Sequence, residues 1–138
     1  MRNKKTEEKR IYILVPKWVD TVRGKRVCME HGRLMAQCAH VARKMELAQV
    51  LPRYDKGCEV HDAVEYEEIT TIVLSVRNSR ELEFMYKQLY GVPWPVYRFE
   101  DTNLEFYGTK ARILTAVCTA PMPVSLASKL LGHLELYA

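Results

Sequence analysis

No apolar run in the sequence approaches the roughly 20 residues that a membrane-crossing helix requires. The first ten residues, Met1-Arg2-Asn3-Lys4-Lys5-Thr6-Glu7-Glu8-Lys9-Arg10, lack the apolar centre of a secretory signal. These absences argue against a helical membrane protein and lead to the expectation of a cytoplasmic chain, with residues 1–10 as a flexible basic tail and 11–138 as a single domain. Repeats, low-complexity stretches and an internal change of composition are missing as well. Cysteine is scarce and scattered, at Cys28, Cys38, Cys58 and Cys118. A chain of 138 residues buries a core without staples, so reduced thiols are the default. Neither sign of charge dominates: 21 Lys and Arg against 17 Asp and Glu leave a net charge of +4, which permits a polyanionic partner without requiring one.

Two of the cysteines stand in C-x-x-H pairs, Cys28-Met29-Glu30-His31 and Cys58-Glu59-Val60-His61. Together they have the ligand types of a tetrahedral zinc site, but this spacing is looser than paired C-x-x-C. The expectation is no metal and no cofactor.

The segment Gly32-Arg33-Leu34-Met35-Ala36-Gln37-Cys38-Ala39-His40-Val41 carries two stripes at helical spacing. Leu34, Cys38, Val41 and Met45 form a buried side, while Arg33, Gln37 and His40 form a polar stripe beside it. The spacing predicts a helix from about Arg33 to about Val50, with Gly32 at its N-cap and Pro52 ending it. A cation in the first turn opposes the helix dipole by roughly 0.3–1 kcal/mol. A bound phosphate or carboxylate clamped by Arg33 would offset that, and so would plain solvent exposure or pairing with a nearby acid.

Around this helix the pattern places a strand at Ile11–Val15 limited by Pro16, then a hairpin or loop through the basic turn Val22-Arg23-Gly24-Lys25-Arg26. Residues 53–68 read as a solvated acidic connection, and Thr70–Val76 as a second strand. Asn78-Ser79-Arg80-Glu81 has the form of a capping box, with Leu82, Met85, Tyr86 and Leu89 as the apolar face and Gly91 as the stop. A strand from Val96 to Phe99 ends at Glu100-Asp101, a position where α/β proteins place ligands. A loop through Asn103 and Gly108 leads to a strand at Arg112–Cys118 and a short helix at Val124–Leu131. This order predicts an α/β fold in one domain, a four-stranded mixed β-sheet with helices on both faces.

Three patches then carry a resemblance. Gly32, Ala36, Gln37 and His40 match a G-K-x-A-A-Q-x-x-H helix start; Asp101 in Phe99-Glu100-Asp101-Thr102-Asn103 matches the acid of a D-A-G-x-T loop. Thr115 to Pro123 with Gly132-His133-Leu134 is similar to T-x-x-G-I-G-P-x-P followed by T-G-H-L. These are motifs of the archaeal and eukaryotic type of peptidyl-tRNA hydrolase, which the chain resembles from Ile11 to Tyr137. The resemblance implies cleavage of the ester between a peptide and the ribose of tRNA, with peptidyl-tRNA as partner and a possible homodimer through the apolar Val92, Trp94 and Tyr97. It implies Asp101, Arg33, Thr115, Gln37 and His40 as catalytic residues, and Gly32, His31, Arg26, Thr109 and Asn103 as substrate-binding ones. Arg33 stands where the family pattern has a catalytic lysine, Glu105 where it has its first functional threonine (with Thr109 nearby under a shifted alignment), and the loop after Asp101 is about two residues longer. A non-catalytic relative that binds RNA or a protein partner is the second reading. For Asp101 alone, the plain alternative is a turn acid that pairs with Arg33 or caps its own loop.

Overall fold

A computed structural model describes residues 7–20, 26–54, 68–92 and 94–137. Strand β1 (Lys9–Asp20) is its centre, because its alternation loads both faces of the sheet. Ile11, Ile13, Val15 and Val19 enter one core, while Tyr12 and Leu14 enter the other. The first core is covered by α1 (His31–Tyr54), the second by α2 (Ser79–Gly91) and α4 (Val124–Leu131). Helices on both faces of a mixed sheet are therefore as expected.

The sheet is larger than expected. Among the described residues it has seven strands rather than four, with β4 (Val96–Asp101), β5 (Ile113–Thr119), β1, β3 (Thr71–Asn78) and β7 (Glu135–Leu136) side by side. Two further strands, β2 (Arg26–Val27) and β6 (Met122–Pro123), pair with β1. The three additions have two residues each, too few to carry a period-two pattern. β1 and β3 run parallel from Ile11↔Thr71 to Trp18↔Asn78, and β5 and β4 extend the sheet antiparallel.

Two prolines do not end their elements where the sequence suggests. β1 runs through Pro16, which lies opposite Val76. The amide of Ile11 donates toward β3 and that of Tyr12 toward β5, so the missing N–H of Pro16 belongs to the β5 side, beyond the last pair there at Leu14↔Val117. α1 likewise continues through Pro52 to Tyr54, so that proline sits in the last turn. At its other end α1 begins at His31, and Leu34 N–H donates to Glu30 C=O at 2.9 Å. Glu30 thus holds the cap position, and Gly32 lies inside the first turn.

β1 begins within the stretch expected as a tail: Lys9 and Arg10 pair with Pro123 and Met122. Glu7 accepts from Ser125 N–H at 2.8 Å at the start of α4, and hydrogen bonding from the Ser125 side chain, then from this amide, lowers the Glu7 carboxyl below its ordinary range. The capping expected at α2 is present, with Asn78 Oδ1 accepting from Glu81 N–H at 2.9 Å and Leu82, Met85 and Leu89 buried beneath it. The segment between Asp101 and β5 is not a plain loop but holds one helical turn, α3 (Leu104–Tyr107). Asn103 caps its start, and Gly108 ends it in the left-handed region at φ 70° that glycine adopts freely. The acidic connection expected at 53–68 lies largely outside the described residues.

Candidate active site

The site forms where α1 crosses β4 and β5, and a bulge in the β4–β5 ladder makes it. Phe99 pairs with Ala116 but Glu100 pairs with Leu114, so Thr115 is the extra residue. A bulge turns two successive side chains to one face. Ala116 accordingly packs in the α1 core, and Thr115, fully buried, also reaches α1.

Thr115 Oγ1 donates to Gln37 Oε1 at 2.7 Å. With its oxygen engaged, the buried Gln37 amide can only offer N–H onward, and Nε2 donates to Asp101 Oδ2 at 3.2 Å. The same oxygen accepts the Tyr107 hydroxyl at 2.8 Å. A chain from β5 through α1 thus reaches a partly exposed carboxylate at the end of β4, and α3 closes it from the far side. Thr115→Val removes the donor and leaves a buried acceptor on Gln37 unmatched, so the variant is expected to lose about 1–3 kcal/mol of stability. A lowered urea midpoint measures this.

Arg33, one turn before Gln37 on α1, does not pair with Asp101 or any other carboxylate among the described residues. Its guanidinium lies over the Phe106 ring, 4.0 Å from the centroid. Its charge is felt at Tyr107, whose hydroxyl it favours in the ionised form against the stronger opposing effect of burial. The alternative roles for Asp101 as the partner of Arg33 or the cap of its loop are not what the structure shows. Asn103 holds the cap, its Oδ1 accepting from Phe106 N–H at 2.9 Å.

The other sequence candidates are dispersed. His40 stacks on Phe99 with ring centroids 4.9 Å apart, and its Nδ1 accepts from Arg43 at 3.1 Å, so it lines the site's flank without joining the chain of bonds. His31 stands edge-on to Tyr137 and lines a separate apolar cavity of about 600 Å³ with Leu34, Met35, Cys38 and Val73. Arg26 pairs with Asp20 at 3.6 Å. Thr109 accepts from Ala111 N–H at 3.1 Å within its own turn. Gly32 is exposed, with nothing within 4 Å of where a Cβ would stand. Of the two C-x-x-H pairs, Cys28 and His31 lie near the start of α1, while Cys58 and His61 lie outside the described residues.

The glutamine, threonine and aspartate stand on a helix, a bulged strand and a strand end, all within a stretch that one family model covers. The model of peptidyl-tRNA hydrolase PTH2 matches residues 17–137. The chain belongs to that family. No curated protein matches it. Against the motifs of the resemblance, Arg33 and the loop after Asp101 differ, and that loop holds Glu105 within α3. Tyr107 and Phe106 were not legible as site residues, although Asn103 and Gly108 frame them as a capped helical turn and the pair could have been sought there.

Proposed function

We propose that the chain hydrolyses the ester joining a peptide to the ribose of tRNA. One observation carries the reading: Asp101 has one oxygen anchored by two donors and its other oxygen accepts no bond from the described residues, while the cation Arg33 lies over Phe106, the chain neighbour of the Tyr107 that holds Asp101. Asp101 Oδ1 takes a proton from water, and the hydroxide adds to the ester carbonyl carbon. Arg33 donates to the oxyanion that develops. The bond from that carbon to the ribose oxygen then breaks, the ribose oxygen takes the proton that Asp101 had received, and the free peptide acid and tRNA leave with Asp101 again a carboxylate. Gln37 and Thr115 orient Asp101, His40 flanks it through Phe99, and the exposed Gly32 offers room for substrate at the first turn of α1. His31, Arg26, Asn103 and Thr109 border the substrate path in this reading.

The same proposal takes residues 11–138 as one working domain and the cytoplasm as its place; among the described residues no helix is long and apolar enough to cross a membrane. It extends to pairing of two chains at the free edge of β4, beside the exposed Tyr90. Trp94 and Tyr97 are themselves only partly exposed there, Trp94 Nε1 donating to Ala120 C=O at 3.3 Å.

Incubation with N-blocked aminoacyl-tRNA tests the function: release above background is expected. The exposed Glu105 at the mouth, where the family pattern has threonine, favours the second reading of a non-catalytic RNA-binding relative. Binding that weakens with salt but yields no release would establish it.

A further inference from the structure

Asp101 does not present its two oxygens equally. Oδ2 accepts both Gln37 Nε2 at 3.2 Å and the Tyr107 hydroxyl at 2.8 Å, whereas no described residue donates to Oδ1. Tyr107 is 1% exposed, and its single hydroxyl proton has a choice between the carboxylate and Met29 Sδ at 3.9 Å. The shorter bond to an anion wins. Burial, then the hydrogen bond to Asp101, pushes the Tyr107 hydroxyl well above its ordinary range, with Arg33 opposing. It therefore remains a donor throughout any assay range and never serves as a base.

The charged and titratable groups around this carboxylate are few. Arg33 comes from α1 and Tyr107 from α3; Gln37 on α1 and Thr115 on β5 are neutral. The neighbouring Glu100 on β4 is engaged by Arg98 at 3.1 Å. On α3, Glu105 is exposed, while Phe106 lies edge-on to Tyr107 with centroids 5.0 Å apart and carries the Arg33 guanidinium on its face. Adjacent residues of one capped turn thus hold both proposed reacting groups.

We infer that Tyr107 is a positioning residue: its hydroxyl pins Oδ2 of Asp101 and leaves Oδ1 as the oxygen that receives the proton of water. The inference rests on Asp101 being the base of the proposed hydrolysis, but its hold on the carboxylate can be measured apart from turnover. Tyr107→Phe removes one oxygen and keeps the ring. Loss of a hydrogen bond to a charged acceptor corresponds to about a tenfold effect. The carbon-13 resonance of the Asp101 side-chain carboxyl, compared in the full chain at one pH, is expected to move in Tyr107→Phe, and kcat is expected to fall about tenfold with KM unchanged. 3,5-Difluorotyrosine at position 107, a stronger donor of the same shape, moves the resonance the other way and serves if Tyr107→Phe fails to fold. Identical resonances in wild type and variant overturn the inference whatever the activity. A resonance that moves on substitution of a wild type that releases no peptide removes the hydrolase reading and leaves the hold of Tyr107 on Asp101 standing.

Discussion

Asp101→Asn is expected to lower kcat/KM for peptidyl-tRNA by about 10²–10⁴-fold, the range of a lost general base. The substitution separates chemistry from architecture. An asparagine side chain can turn its carbonyl oxygen toward Gln37 and Tyr107, the two donors that hold Oδ2 at 3.2 and 2.8 Å, and so keep the connection between α1, α3 and β4. Its NH₂ then occupies the place of Oδ1, where it can neither accept a proton from water nor point a lone pair at it. The cost to stability is the charge on two hydrogen bonds, about 1–2 kcal/mol, and a thermal melt shows whether the fold survives. Release rates for wild type and Asp101→Asn, measured on the same N-blocked aminoacyl-tRNA, give the answer. A folded variant with the wild-type rate shows that Asp101 is a structural acid and that the base lies elsewhere.

The parts of the molecule that were legible in the sequence are those whose cause is local. The alternation of β1, the cap at Asn78 with its Leu82, Met85 and Leu89 face, and the amphipathic α4 depend on neighbours within a few residues. Pro16 misled because the effect of a proline in a strand depends on whether its missing N–H has a partner to lose, and it sits past the end of the β5 pairing. Pro52 gives up the bond that an N–H would make to the carbonyl four residues back, but it stands in the last turn of α1, and the helix runs on only to Tyr54. The extra strands β2, β6 and β7 were invisible because two residues have no period, and their pairing is supplied by β1 and β3.

The site divides in the same way. Gln37 was visible as part of a polar stripe, but its burial was not, since a glutamine is tolerated inside only when a partner such as Thr115 meets its oxygen. That partnership depends on a bulge defined by the register of two strands, a long-range property. Tyr107 is hidden for a related reason. Its distance from Asp101 is six positions along the chain, and only the turn capped by Asn103 and closed by Gly108 folds it back onto the acid. The loop after Asp101 thus supplies, through Tyr107, a contact to that acid.

Arg33 decides what kind of cation the reaction uses. Arginine remains protonated above pH 12 and cannot give or take a proton in turnover, whereas a buried lysine can. In the structure its guanidinium carbon lies over the Phe106 ring, 4.0 Å from the centroid, near enough to Tyr107 to influence its hydroxyl, as a fixed donor would be placed. Arg33→Ala is accordingly expected to reduce kcat by about 10²–10³-fold, the loss that follows removal of one oxyanion donor. Arg33→Lys keeps the charge but gives up the guanidinium that lies over Phe106, and a decrease within about tenfold is expected. Because α1 begins at His31 with Glu30 as its cap, neither change removes a helix-capping contact, and both variants should fold. Single-turnover release on one peptidyl-tRNA compares the three proteins. If wild type is inactive and Arg33→Lys restores release, the position requires a proton carrier and the fixed-charge account fails. Equal rates for all three place Arg33 outside the chemistry, and the oxyanion would then need another donor near the mouth between α1 and α3.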